Sequence, residues 1–177
     1  MRPILTGNKV KLRPKRLYDA IDDYQWLRDA ELCRLDAAQP ATSSFEEYLK
    51  LAVESPSSTS RSCHFAIETF SGEHIGNCSC FDIDEVSGEA EIGIMIGNKT
   101  YWDQGYGTDA ILTALNYVFS QAGLSRVYLK TLNWNTRAQK CFQKCGFTPC
   151  GQLVRDGYSF ILMDIRKPDK MQAQLKN

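Results

Sequence analysis

The chain has 177 residues, of which 43% are hydrophobic and 24% charged, and its 21 basic residues balance 21 acidic ones. The length suits one domain with its own core, and the missing basic excess argues against a nucleic-acid binder that relies on phosphate contacts. No apolar run is long enough to span a bilayer, and the N-terminus lacks the apolar region of a signal peptide. We therefore expect a cytoplasmic protein without a membrane partner.

The first half of the chain predicts a strand followed by helices. Charged and apolar residues alternate over residues 9–13 and stop at Pro14, which predicts a half-buried strand. Apolar residues at helical spacing predict helix over residues 17–35. Ser43 followed three residues later by Glu46 matches a capping box, so a short helix is expected to begin there.

Three strands are then predicted, over residues 64–69, 75–81 and 89–96, with a turn between each pair. The end of the third strand, residues 92–96, is apolar on both faces, which predicts a central place in the sheet. Helical spacing follows Gly107 and stops at Gly123, and it predicts a buried stripe formed by Ile111, Leu115, Val118, Phe119 and Ala122. The remaining pattern predicts a strand, a helix capped by Asn135 and a hairpin, over residues 126–131, 136–144, 147–153 and 158–166. This order predicts a mixed α/β (α+β) fold.

Seven cysteines and two histidines are the residues that bear on redox state and metal binding. In a reducing compartment the cysteines are expected as free thiols, many of them buried. Cys78 and Cys80 would share one strand face, and Cys141 and Cys145 lie one helical turn apart. Neither pair comes with a CxxC motif or clustered histidines, so no metal site is predicted.

Gly105 and Gly107 stand between a strand and a long helix. Such a turn can aim several N–H groups at one point, and the helix N-terminus adds about half a positive charge there, which suits a phosphate or pyrophosphate. A plain helix start also favours glycine, and residues 105–110 match the dinucleotide pattern G-x-G-x-x-A as well. Two features argue against a dinucleotide site. The preceding strand ends near Ile96 rather than just before Gly105, and the strand after the helix lacks the acidic residue expected at its end.

Four segments resemble, in order and spacing, the GNAT superfamily of acetyl-CoA-dependent N-acetyltransferases, and most closely its ribosomal-protein N-terminal acetyltransferase-like subgroup. They are Glu91-Ile92-Gly93-Ile94-Met95-Ile96, Tyr101-Trp102-Asp103-Gln104-Gly105-Tyr106-Gly107-Thr108-Asp109-Ala110, Asn133-Trp134-Asn135-Thr136-Arg137-Ala138 and Phe142-Gln143-Lys144-Cys145-Gly146-Phe147. The close resemblance covers residues 89–151, and the N-terminal half fits more loosely.

The resemblance implies one N-acetyltransferase domain over residues 1–177, with residues 170–177 as a loose tail. It implies a mostly antiparallel sheet, splayed between its central strands, with helices on both faces. It also implies acetyl-CoA as cosubstrate and no metal. The pantetheine would meet the backbone of Met95 and Ile96, and the pyrophosphate the N–H groups of Gln104, Gly105, Tyr106, Gly107 and Thr108. Asn135 would reach the pantetheine or a nearby backbone group, and Phe142 would pack beside the thioester.

Acetylation of an amine needs a base and a donor for the carbonyl oxygen. Glu91 is the candidate base, and a backbone N–H near Ile96 is the candidate donor. The alternative bases are Glu89, Asp82, Asp84, His64 and His74. Phe142 stands where many relatives carry a tyrosine that protonates the leaving thiolate, and Ala138 replaces a serine found in some relatives. The general acid is therefore left open.

The sequence thus predicts acetyl transfer from acetyl-CoA to a primary amine, either a small molecule or a protein N-terminus, directly within a ternary complex. Five carboxylates between residues 82 and 91 would either attract a cationic amine or form a solvated hairpin. Two other functions stay open: a non-catalytic acyl-CoA-binding module and a nicotinamide-dependent oxidoreductase. The identity of the acceptor is not predicted, and a homodimer is compatible with the sequence.

Overall fold

The computed structural model describes residues 3–54, 62–120 and 123–168. These residues form eight strands and five α-helices, with a short 3₁₀ helix at Lys99–Tyr101. The strands are β1 (Leu5–Thr6), β2 (Val10–Pro14), β3 (Cys63–Thr69), β4 (His74–Asp84), β5 (Glu89–Ile96), β6 (Arg126–Leu132), β7 (Thr148–Arg155) and β8 (Tyr158–Arg166). The helices are α1 (Asp19–Trp26), α2 (Ala30–Leu35), α3 (Phe45–Glu54), α4 (Tyr106–Ser120) and α5 (Thr136–Lys144).

One sheet contains all eight strands, in the order β1-β2-β3-β4-β5-β6-β8-β7. Neighbouring strands are antiparallel except for β5 and β6, which run parallel. In the described strands the β5–β6 ladder contains three pairs and stops at Glu91↔Tyr128. The rest of β5 continues to Ile96 without β6, so a wedge opens between the two central strands. The predicted mixed, mostly antiparallel sheet, splayed at its centre, is confirmed.

Helices cover both faces of the sheet. Cys78 of β4 is buried in the core cluster that includes residues of α4, whereas the side chain of the preceding Asn77 donates to Asp23 of α1 at 2.6 Å. Successive side chains of a strand point to opposite faces. It follows that α1 and α4 lie on opposite sides of β4.

The main core lies between the sheet and α4. Ile111, Leu115, Val118 and Phe119 of this helix are at most 4% exposed, which confirms the buried stripe predicted from their spacing. Each such side chain stabilises the fold by about 1.5–3 kcal/mol on burial. The stripe was also expected to include Ala122, which lies outside the described residues. Within the described part of the chain, no helix combines the length and the apolar character needed to cross a membrane.

The helix predicted over residues 17–35 is wrong as a single element, because the chain breaks it into α1 and α2. Asp29 is the N-cap of α2, since its carboxylate accepts from the backbone N–H groups of Glu31 and Leu32, both at 3.0 Å. Leu17 and Ile21, which suggested a continuous apolar stripe, are 67% and 53% exposed. Their spacing was helical, but it did not mark a buried face.

The capping box before α3 is displaced by one residue from its predicted position. Ser44 Oγ accepts from the N–H of Glu47 at 3.2 Å, and Glu47 Oε2 accepts from the N–H of Ser44 at 2.7 Å. The prediction had assigned these roles to Ser43 and Glu46. The short strand β1 was not predicted either.

The start of α4 is fixed to the edge of the sheet by Asp109 in its first turn. The Asp109 carboxylate accepts from the backbone N–H groups of Asn8, Lys9 and Val10 at 3.0, 2.7 and 3.1 Å. These three amides belong to the turn into β2. The position of the glycine turn that precedes α4 is therefore tied to the first hairpin of the sheet.

Candidate active site

A cleft of about 480 Å³ lies where the free end of β5, the N-terminus of α4 and one face of α5 meet. Most of the predicted cofactor residues line it: Met95, Ile96, Gly105, Gly107, Thr108, Asn135 and Phe142. The wedge in the sheet and the glycine turn thus open into the same space. This arrangement suits a long ligand with a phosphate end and a narrow arm.

Gln104 and Tyr106 belong to the same turn, but they are not among the residues that line the cleft. The Gln104 amide donates to the carbonyl of Thr100 at 2.5 Å, and the Tyr106 ring packs edge-on against Tyr101 with a centroid distance of 4.9 Å. Any contribution of these two residues to a ligand would therefore come from their backbone N–H groups, as the sequence analysis expected.

The turn has the backbone shape of an anion site. Gly105 has a φ of 83°, a left-handed conformation that disfavours other residues. The N–H of Asp109 makes a helical hydrogen bond to the carbonyl of Gly105 at 3.0 Å. The N–H groups before it, at the first positions of α4, have no intrahelical acceptor and are oriented for an external one.

Positive side chains surround this end of the cleft. Arg137, Lys140 and Lys144 of α5 line it, and Lys9 Nζ donates to the carbonyl of Gln104 at 2.9 Å. Together with the helix N-terminus they favour a ligand with several negative charges. These cations were not among the predicted site residues, although positions 137, 140, 141 and 144 have the spacing of one helix face.

Trp102 joins the end of β5 to α5 across the cleft. Its indole Nε1 donates to the carbonyl of Ile96 at 2.7 Å, and the guanidinium of Arg137 lies 3.3 Å from the ring centroid. A carbonyl oxygen has two lone pairs, so Ile96 can still accept one further hydrogen bond.

The opposite wall is formed by α2, which the sequence analysis did not connect with the site. Leu32, Leu35 and Asp36 line the cleft, and the guanidinium of Arg34 lies 4.6 Å from the ring centroid of Trp134. Trp26, at the end of α1, does not line the cleft. It is a core residue, 8% exposed and packed on His74 with a centroid distance of 4.8 Å.

Glu91 lies at the vertex of the wedge, at the last paired position of β5 with β6. It is 4% exposed, and its Oε2 lies 2.8 Å from Nζ of Lys130. Tyr128 is its partner across the ladder. Burial raises the pKa of Tyr128, and the negative charges of Glu91 and Asp82 raise it further. The candidate base is thus held by two neighbours on β6.

A second cavity of about 400 Å³ adjoins the vertex and contains the alternative carboxylates. Asp82, Asp84, Glu89 and Tyr128 are among the residues that line it. Glu89 is also ion-paired with Arg126 at 2.8 Å. The acidic segment therefore forms a concave surface beside Glu91.

The two histidines have partners of their own. His64 Nδ1 lies 2.9 Å from Ser79 Oγ, and His74 Nδ1 lies 3.0 Å from Asp22 Oδ2. Among the described residues that line the cleft there is no histidine. Nor do three His, Cys, Asp or Glu side chains of the described residues gather closely enough to hold a metal ion.

Phe142 packs at the inner end of the cleft and has no hydroxyl group to offer. It is 7% exposed, and its ring meets Phe147 edge-on with a centroid distance of 6.0 Å. Ala138 also lines the cleft. A departing thiolate would receive no proton from either residue.

Comparison with known proteins identifies this architecture. Residues 9–148 match the family model of the acetyltransferase (GNAT) domain. The uncharacterized N-acetyltransferase p20 of Bacillus licheniformis is 33% identical over 84 residues, covering 48% of this chain and 46% of that protein. The alpha/beta-tubulin-N-acetyltransferase 9 of Homo sapiens is 27% identical over 165 residues, covering 81% of this chain and 74% of that protein. The chain thus spans about half the length of the first relative and three quarters of the second.

A solved structure shows the same fold. The spermidine N-acetyltransferase of Vibrio cholerae, in complex with CoA and spermine, superposes with a TM-score of 0.80 at 22% identity, covering 92% of this chain and 98% of that one. A doubly wound nucleotide-binding domain has a parallel sheet, whereas this sheet has one short parallel pair. The alternative of a nicotinamide-dependent oxidoreductase does not fit this fold.

Proposed function

The chain belongs to the GNAT acetyltransferase family, and from this premise we propose that it transfers an acetyl group from acetyl-CoA to a primary amine, directly within a ternary complex. One observation carries the proposal: a single cleft joins the glycine turn of α4 to the wedge between β5 and β6, and Glu91 lies at the vertex of that wedge. We propose further that the whole chain, residues 1–177, is one such domain.

The cleft has the chemistry that acetyl-CoA requires. Its outer end offers helix N–H groups and the cations Arg137, Lys140 and Lys144 for the phosphates, and its inner end offers Ile94 and Phe142 for the pantetheine arm. Asn135, the N-cap of α5, also lines the cleft and can orient an amide of that arm. Each property is expected of a site for this cosubstrate.

The acceptor would approach Glu91 from the acidic cavity. Its Asp82, Asp84 and Glu89 would attract an ammonium group, and Glu91 would take the proton that leaves as the amine attacks the thioester. Holding the amine against the thioester can lower the barrier by roughly 7–11 kcal/mol in the best cases. The thiolate can leave without a protein acid because a thiol with a pKa of about 8.5 is a good leaving group.

Both acceptor classes expected from the sequence have support. The superposed Vibrio cholerae enzyme was crystallised with spermine, a small amine, and the human relative is a tubulin N-acetyltransferase. Placement in the ribosomal-protein N-terminal acetyltransferase-like subgroup is supported by Trp102, which is usual there. A protein N-terminus and a small-molecule amine are therefore the two classes to test.

Isothermal titration with acetyl-CoA tests the cosubstrate, and release of free thiol with a panel of amines tests the transfer. Gly105→Ala should weaken acetyl-CoA binding by at least about tenfold, because alanine disfavours the positive φ that aims the turn amides. Gly157→Ala is the matched control: its φ is 79°, an added Cβ would meet no atom within 4 Å, and it lies in the β7–β8 turn. Absence of binding by the unaltered protein, or equal loss in both variants, would refute the proposal.

A non-catalytic acyl-CoA-binding module is the second candidate, and Phe142 favours it because the site then lacks a hydroxyl beside the thioester. This candidate predicts that the protein binds acetyl-CoA but releases no thiol with any amine. It also predicts that Glu91→Gln changes neither acetyl-CoA binding nor thiol release. Turnover with one amine decides against it.

A further inference from the structure

Cys141 is a thiol in the wall of the cleft, beside the turn that would hold the cosubstrate phosphates. Its Sγ lies 3.4 Å from Oγ1 of Thr108, and a Cβ placed on Gly107 would lie 3.6 Å from the same sulfur. Cys141 is half-buried and lines the cleft of about 480 Å³. A group attached to this sulfur would occupy the space in front of the turn.

The surroundings of Cys141 favour the thiolate, which is the reactive form of cysteine. Its pKa is lowered by a hydrogen bond from the thiol of Cys145, one turn later, and by Thr108, Lys144 and Arg137, against the opposing effect of burial. The Cys145 sulfur also lies 3.7 Å from the carbonyl oxygen of Thr108. Two thiols and a hydroxyl therefore form one cluster at the edge of the cleft.

Other cysteines lack this combination of access and activation. Cys78 is fully buried, and burial raises its pKa to about 12. Cys33 is buried and its pKa is also raised, by burial and by nearby carboxylates. Cys150 is exposed on β7, outside the cleft, with Nη2 of Arg126 at 3.8 Å.

We propose that Cys141 is a site of thiol–disulfide exchange with anionic low-molecular-weight disulfides, and that the resulting mixed disulfide excludes acetyl-CoA from the cleft. The Cys141 thiolate attacks one sulfur of the disulfide, the bond between its two sulfurs breaks, and a bond from Cys141 to one of them forms. The other sulfur leaves as a thiolate and takes up a proton from water. The disulfide is the oxidant, and Cys141 is oxidised from thiol to disulfide.

The charge of the cleft selects the anionic class. Arg137, Lys140 and Lys144 line the same wall as Cys141 and would attract carboxylates on the incoming disulfide and repel ammonium groups. Glutathione disulfide, which carries several carboxylates, is the probe that fits this surface. Cystamine, which carries two ammonium groups, is the matched probe of opposite charge.

The exchange can be measured by mass spectrometry after treatment with each probe, denaturation and digestion. For each probe, the rate of modification of Cys141 is divided by the rate for the exposed Cys150. We expect this ratio to be at least about tenfold higher for glutathione disulfide than for cystamine. Desulfo-CoA, which has no thiol to exchange, should protect Cys141 and leave Cys150 unprotected. Modification of Cys141 no faster than Cys150, or the reverse preference between the probes, would overturn the proposal.

The effect on the cosubstrate is measured by titrating acetyl-CoA into treated and untreated protein. Treatment should lower the affinity at least about tenfold, with recovery on reduction by dithiothreitol. Cys150→Ser should respond as the natural chain does, whereas Cys141→Ser should have the same affinity before and after treatment. Retained affinity in the modified protein would refute the exclusion of acetyl-CoA.

This inference rests on the proposed function, because acetyl-CoA is the ligand excluded. The two failures are distinguishable: an untreated protein that does not bind acetyl-CoA contradicts the proposed function, while the mass spectra measure the selectivity of Cys141 in either case.

Discussion

Glu91 is held more firmly than an exposed strand carboxylate would be. It lies at the last pair of the β5–β6 ladder, with Lys130 Nζ 2.8 Å from its Oε2 and Tyr128 as its ladder partner. Both partners come from β6, so the strand across the wedge determines the direction of the carboxylate. A base must have a fixed position relative to the proton that it accepts, and this ladder provides one.

Replacing Glu91 by glutamine should lower kcat by about 10²–10⁴-fold, since the amide keeps the shape of the side chain but cannot accept the proton. Acetyl-CoA affinity should stay unchanged, because Glu91 is not among the residues that line the cleft. Glu89→Gln is the matched control, two residues away on the same face and in the wall of the acidic cavity. It should raise KM for a cationic amine and preserve kcat.

Steady-state kinetics with titration of acetyl-CoA separates these effects. An equal fall in kcat for both variants would mean that neither carboxylate is the specific base. An unchanged kcat in Glu91→Gln would assign the proton transfer to another group.

At the level of residues, sequence reasoning found the backbone part of the site and missed the charged part. Gly105 and Gly107 could be identified because a turn into a helix restricts which residues fit. The cations that line the cleft, Arg137, Lys140 and Lys144, could not, because the direction in which an exposed helix face points depends on how α5 packs. Similarly, Leu32 and Asp36 line the cleft only because of how α2 packs in the folded protein.

At the level of elements, α5 begins at an N-cap residue that also lines the cleft. Asn135 Oδ1 accepts from the N–H of Ala138 at 3.2 Å, which confirms the predicted cap. Asn135 also lines the cleft, where it was expected to reach the pantetheine. The cap uses the side-chain oxygen, so a hydrogen bond donated to a ligand would come from the amide nitrogen.

Two substitutions separate these roles. Asn135→Asp should keep the stability of the protein, because aspartate caps a helix as well as asparagine does, but it should weaken acetyl-CoA binding by removing the donor and adding a negative charge. Asn135→Ala should lose about 1 kcal/mol of unfolding free energy and weaken binding as well. Urea unfolding and acetyl-CoA titration measure the two quantities. Full affinity in Asn135→Asp would restrict the residue to capping.

The elements themselves were predictable where a local signal was unique. Strand β5 begins and ends at the predicted residues, because its apolar run is bounded by turn residues on both sides. The capping box before α3 was ambiguous: Ser43 with Glu46 and Ser44 with Glu47 have the same spacing, and the pattern alone cannot choose between them. The break between α1 and α2 depends on Asp29. Its carboxylate also lies 2.8 Å from Nζ of Lys99, which begins the 3₁₀ helix after β5.

At the level of the whole molecule, a buried ion cluster attaches α1 to the sheet. Arg13 of β2 donates to both oxygens of Asp19 of α1, at 2.7 and 2.8 Å, and to Glu68 of β3 at 2.5 Å. Arg13 is 2% exposed and Asp19 is 0% exposed. Since α1 leads directly into α2, which lines the cleft, the cluster also positions one wall of the candidate site.

This cluster should make the stability of the protein depend on acidic pH. Burial raises the pKa of Asp19, but hydrogen bonds from Arg13 and the N–H of Arg16, with the charges of His74 and Arg13, outweigh it and bring the pKa below its usual value of 3.8. A carboxyl group with a lowered folded-state pKa stabilises the protein above its unfolded-state pKa. That contribution is lost as the pH falls through the folded-state value.

Asp19→Asn should therefore cost about 3 kcal/mol of unfolding free energy at neutral pH, because it leaves the buried Arg13 with one charged partner instead of two. Below about pH 4 the difference from the natural chain should shrink, since protonation removes the same charge from Asp19. Urea unfolding between about pH 7 and pH 3 measures both effects. Asp156→Asn is the control, because this carboxylate is 82% exposed and its ion pair with Arg155 lies in solvent. A constant difference between Asp19→Asn and the natural chain across this range would show that Asp19 keeps no stabilising charge in the folded protein.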